Sequence, residues 1–137
     1  MTVNWVDDMY NMHKKFGVHE WVKKNKDNKE LMRKFLEFRI RFLQEELDET
    51  RKAVDASDAE EIVDGLIDLC VVAIGTLDAF DVNARVAWNE IFEANMSKEP
   101  GIKESRPNPL GLPDLIKKPD WKGPDHTGNH GLFANNI

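Results

Sequence analysis

Between Ser57 and Phe80 the chain reads SDAEEIVDGLIDLCVVAIGTLDAF, and no other stretch limits the fold as much. Its Leu, Ile, Val, Cys and Ala positions point in every direction around a helix axis, so a helix here needs cover on all sides. Yet Glu61, Asp64 and Asp68 fall within about 60° of one another on a helical projection, with Gly65, Val72 and Gly75 beside them. Glycines on that side let another helix or a ligand come close. Ser57 reads as the N-cap and Glu60 as its capping-box partner, which predicts a helix from about Ser57 to Phe80.

Three further helices are expected. One runs from about Trp5 to Lys15 and is closed by Gly17; a long one runs from about Asn28 to Ala53; the last runs from about Asn83 to Lys98. The segment HEWVKKNKDNK at 19–29 reads as a polar connection carrying Trp21. All six prolines lie at Pro100 or beyond, so the tail cannot form a long helix. The expectation is an all-α antiparallel bundle of four to five helices over residues 1–98, followed by an irregular Pro/Gly-rich tail over 99–137.

Within the long helix, Leu31, Phe35, Phe38 and Phe42 share a narrow arc, and Glu46 and Glu49 continue it, with Glu45 at its edge. Lys34, Glu37, Arg41, Gln44 and Asp48 mark the solvent side. Two successive helices therefore place carboxylates where core residues belong. Two like charges about 4 Å apart repel by roughly 4 kcal/mol at an effective dielectric near 20. Such a cluster must be protonated, wetted or neutralised by cations. Oxygen ligands suit magnesium or manganese, both of which accompany phosphates.

The formal charge of −6 argues against non-specific binding to nucleic acid or to a membrane surface. No apolar run reaches the roughly 20 residues of a membrane span. The lone Cys70 excludes an internal disulfide and a cysteine-built zinc site. A cytoplasmic protein is the simplest expectation. His13 and His19 show no ligand spacing with the acids, and His126 and His130 sit among Pro124, Gly128 and Gly131, which disfavour a helix there. Arg39 falls in the apolar arc, pointing toward the acids as a counter-ion or a phosphate ligand. Asn95 and Lys98 sit one turn apart at the end of the last helix, where they would cap it or meet a phosphate chain.

Glu45-Glu46-Leu-Asp-Glu49 followed by Glu61-Ile-Val-Asp64 resembles the signature of the MazG-like all-α nucleoside triphosphate pyrophosphohydrolases. The segments KFG at 15–17, NMSK at 95–98 and KKPDWKGPD at 117–125 look like its single-domain members. The resemblance implies a homodimer or homotetramer that cleaves a (d)NTP between the α- and β-phosphates. It also implies magnesium held by Glu46, Glu49, Glu61 and Asp64, with Glu45 and Asp68 as outer ligands or orienting the attacking water. Asn95, Lys98 and Arg39 would steady the phosphates. Trp21 or Trp121 would stack on the base, and Lys118 would join Trp121 if the tail folds over the pocket. Phosphoribosyl-ATP pyrophosphohydrolase, which shares the fold and the acids, is the nearest alternative, and a non-catalytic acidic interaction protein is the other. The acid spacer between Glu49 and Glu61 is at or just under the usual length, which requires a tight inter-helix turn.

Overall fold

The computed structural model describes residues 3–111 and 113–137, and among them the protein is all-α apart from one short pair of strands. The helices are α1 (Trp5–Lys15), α2 (Val18–Asn25), α3 (Lys29–Asp55), α4 (Ala59–Ala79), α5 (Ala84–Met96) and α6 (Phe133–Asn136). Strands β1 (Glu99–Gly101) and β2 (Asp114–Ile116) pair antiparallel, with Pro100 opposite Leu115.

Short polar caps set the helix starts. Asn4 accepts a hydrogen bond from the Asp7 amide, Asn28 from the Leu31 amide and Asp58 from the Glu61 amide, each satisfying an orphan donor of the first turn. The cap of α4 is thus Asp58 and not Ser57, which instead turns the chain at a φ of 54°. The segment expected to be a polar connection forms α2. Gly17, at a φ of 82°, makes the corner after α1, and Val22 then drops into the core.

The chain divides into two compact units, one comprising residues up to Ala84 together with His130–Ile137, the other Arg85–Asn129. In the first, the core gathers Val22, Met32, Ala79 and Phe80, with Phe35, Leu36, Leu132 and Phe133 packed against them. Phe80 stacks on Phe35, with ring centroids 5.7 Å apart, and on Phe133, at 4.4 Å. The Leu132 amide donates to the Phe80 carbonyl, which ties the last residues of the chain to the end of α4. In the second unit, the tail is fastened to α5: the Trp121 indole donates to the Ala94 carbonyl, and the Asp125 amide donates to Glu90. The Arg106 guanidinium pairs with Asp114 at the start of β2.

The α3–α4 pair forms the frame of the first unit. Thr50 on α3 faces Gly65 on α4, while Arg39 on α3 reaches Val72 and Thr76 on α4, so numbers fall on one helix as they rise on the other and the pair is antiparallel. The packed stripe of α3 runs through Met32, Leu36, Arg39, Leu43, Glu46, Thr50 and Ala53, and that of α4 through Gly65, Asp68, Val72, Gly75, Thr76 and Ala79. Phe38 stands outside this stripe, exposed beside it. The helices come into close contact at Gly65, where a Cβ would overlap the Thr50 hydroxyl oxygen. That hydroxyl cannot turn away freely, because it donates to the Glu46 carbonyl at 2.8 Å.

Gly65→Ala is therefore expected to lower unfolding stability by about 1–2 kcal/mol, since overpacking outweighs the gain in helix propensity. Removing the obstructing hydroxyl as well, with Thr50→Ala, should make the double variant more stable than Gly65→Ala alone; urea denaturation of the four proteins of the double-mutant cycle checks this.

Candidate active site

The close approach at Thr50 and Gly65 positions carboxylates from both helices. Glu46 precedes Thr50 by one turn, and Asp64 and Asp68 flank Gly65. Glu46 and Asp68 are half-buried on the facing stripes, whereas Glu45, Glu49, Glu61 and Asp64 are exposed. The Glu46 carboxyl holds its proton above the ordinary glutamate range, first through desolvation and then through the charges of Asp68, Glu49, Asp64 and Glu45. Asp68 is raised as well, by desolvation, by the charge of Asp64, by a hydrogen bond with Asp64 and by the charge of Glu49. Five of the six acids singled out from the sequence thus share one electrostatic environment built from two helices. Glu61 lies one turn before Asp64 on the same helix, its amide bound by the Asp58 cap.

The remaining candidates fall elsewhere. Arg39 donates through Nε to the Thr76 hydroxyl and through Nη2 to the Val72 carbonyl, both at 3.0 Å, and so ties α3 to the upper half of α4. Trp21 packs edge-on against Phe35 with ring centroids 5.0 Å apart. In the second unit, Asn95 lies in the last turn of α5, which stops at Met96 short of the expected end at Lys98, and the Lys98 amide donates to the Asn95 carbonyl just beyond it. The Lys98 ammonium sits 5.0 Å from the Trp121 ring centre and that of Lys117 4.9 Å from it, while Lys118 is exposed.

One constellation escaped the sequence. His13 Nδ1 and His19 Nε2 each lie 2.8 Å from the same oxygen, Oδ2 of Asp78. Among the described residues, these are the three potential ligand atoms that come within 4.8 Å of one another. The acids are close enough to raise one another's proton affinity without being drawn to a single point. His13 is buried, and desolvation lowers its pKa despite the neighbouring Asp78.

An antiparallel pair of helices that brings carboxylates of both into one electrostatic environment beside a glycine contact defines an all-α protein with an acidic cluster. The chain belongs to the phosphoribosyl-ATP pyrophosphohydrolase family, whose model matches residues 10–95 and so spans all of α2, α3 and α4. Membership makes it a hydrolase of the nucleotide pyrophosphatase type, in agreement with the resemblance carried by the acid signature. Searches among curated proteins and among solved structures give no match.

The raised Glu46 carboxyl has a consequence for stability. Protonation favours the fold: the benefit is complete below the ordinary glutamate value of 4.5 and is lost as pH rises through the raised one. Glu46→Gln, permanently neutral, should therefore melt roughly 1–4 °C higher than the parent at pH 7 in EDTA, a modest effect because the group is partly wetted. The difference should vanish as the buffer is taken to about pH 4, as read by differential scanning calorimetry.

Proposed function

We propose that the protein is a divalent-metal-dependent nucleoside triphosphate pyrophosphohydrolase that releases pyrophosphate from a (d)NTP and leaves the monophosphate. The observation that carries this reading is that Glu46 and Asp68, on the facing stripes of two helices, are both raised, first by desolvation and then by the carboxylates around them, an arrangement that favours bound cations over apolar neighbours. The donor set fits magnesium or manganese: carboxylate oxygens, four of the six acids being exposed to water and able to turn toward an ion. Glu46, Glu49, Glu61 and Asp64 would hold the metal. When bound, magnesium supplies positive charge to the phosphate oxygens, on which negative charge gathers during cleavage.

The chain's own residues supply the rest. Asp68, with its proton affinity raised, is suited to take the proton of the water that attacks the α-phosphorus as the bond to the pyrophosphate group breaks. Asp64 shares a hydrogen bond with Asp68 and so orients it, and Glu45 helps to keep the local field negative. Arg39 serves this site indirectly, by holding the two helices in register through Val72 and Thr76. A role in adjusting nucleotide pools in the cytoplasm follows from the reaction; among the described residues no helix is long and apolar enough to cross a membrane.

The family match favours a second substrate, phosphoribosyl-ATP, which carries the same scissile phosphate linkage. Pyrophosphate release measured on the eight common (d)NTPs and on phosphoribosyl-ATP, with magnesium and with EDTA, separates the two. Turnover of at least one (d)NTP that requires magnesium and falls by about 100-fold or more in Glu49→Gln, with helix content unchanged, is expected. Turnover of phosphoribosyl-ATP alone would assign the second substrate, and no turnover of any would point to a non-catalytic role.

We further propose a homodimer or homotetramer. Val63, Leu66 and Ile67 on α4 and Phe38, Ile40 and Leu47 on α3 are about half exposed, more apolar surface than two such helices leave to water in a stable monomer. Light scattering should give a mass at least twice that of the chain, and Leu66→Glu combined with Ile67→Glu should lower it to the monomer value.

A further inference from the structure

We propose that His13, His19 and Asp78 form a second cation site, for an ion of the zinc class, separate from the acids of the candidate active site. The three residues come from α1, α2 and α4, and the histidines stand 65 and 59 positions from Asp78 in the sequence. The corner at Gly17 brings them together, since His13 lies on the last turn of α1 and His19 on the first turn of α2. Their rings are perpendicular, with centroids 6.1 Å apart, and one nitrogen of each is aimed at the same carboxylate oxygen.

Both rings are held before any ion arrives. Tyr10 packs on His19 with centroids 4.7 Å apart, and His13 lies against Gly75, where a Cβ would come within 3.2 Å of its Cε1. Ligand atoms around tetrahedral zinc are roughly 3.3 Å apart, given metal–nitrogen distances near 2.0 Å. The two 2.8 Å pairs would thus open by only about half an ångström, and a fourth position is left for water or an added ligand.

Chemistry separates this site from the first. Two imidazole nitrogens and one carboxylate oxygen suit zinc, cobalt or nickel, whereas magnesium prefers oxygen alone. Position separates it too: Asp78 is ten residues beyond Asp68 on α4, about 15 Å along the helix axis. An ion here would fasten the α1–α2 corner to the C-terminal end of α4.

Cobalt titration of the full chain, stripped with EDTA and held in excess magnesium, tests the site. One cobalt per chain with the visible absorption of a four-coordinate nitrogen–oxygen centre is expected. Its affinity should be about tenfold or more weaker in Asp78→Asn and in His19→Phe, which keeps a ring against Tyr10, and unchanged in Glu46→Gln. Zinc added to the folded parent protein should also shift the ring signals of both His13 and His19 in NMR spectra, a readout that does not depend on whether a variant folds. No cobalt uptake, uptake lost in Glu46→Gln, or ring signals unmoved by zinc would each overturn the proposal and leave the trio as a hydrogen-bonded corner.

Discussion

The contact between Gly65 and Thr50 is the constraint on which the first unit depends. Two backbones come together there because one helix offers no side chain and the other offers a short one whose hydroxyl is spent on its own preceding turn. A wider separation at this point would move Glu46 and Asp68 apart and remove the environment that raises both. Higher up the pair, Gly75 makes room for the Arg39 guanidinium, which binds Val72 and Thr76 in the space a methyl group would take. The helix pair is thus closed at one end by a small-residue contact and at the other by a half-buried cation on a carbonyl and a hydroxyl. Both devices draw helices together without the bulky interdigitation usual in a core.

Much of this was legible from periodicity, because a helix repeats its faces and the acids stood on the repeats. The placement of Glu46 and Asp68 on packed stripes follows from counting residues, and so does the solvent face of Lys34, Glu37, Arg41, Gln44 and Asp48, whereas Glu49, expected on the same arc as Glu46, is exposed. The arc drawn through Phe38 was off by a fraction of a turn, since the stripe is centred on Met32, Leu36 and Arg39. α2 gives little periodic signal, with three charges in eight residues; its formation depends on Val18 and Val22 meeting the core, a tertiary effect. Arg39 looked as though it faced the acids, yet the residues that hold it are on the next helix. The His13–His19–Asp78 trio was invisible for the same reason: no local spacing reports a meeting of three helices.

The two clusters set different donor sets at the two ends of one helix. α4 carries exposed and half-buried carboxylates near its start and a single carboxylate shared by two imidazoles near its end. Between them lie Val72, Gly75 and Thr76, which face α3 and insulate one polar group from the other. The segment that was apolar on every side therefore works as a spacer. Its outward residues Val63, Leu66 and Ile67 are exposed in the single chain, which is where a neighbouring copy would find purchase.

The return of the chain to Phe80 has a consequence for how the protein is made. Phe133 stacks on Phe80, and the Leu132 amide closes on the Phe80 carbonyl, so a residue near the middle of the sequence waits for partners more than fifty positions later. Everything from Arg85 to Asn129 is synthesised in that interval. A ribosome-bound chain can form α1 to α4 early, but its central aromatic lacks the Phe133 ring until that residue has been made. Closing so long an excursion adds only a slowly growing entropic cost, so the delay bears on the timing of folding more than on final stability.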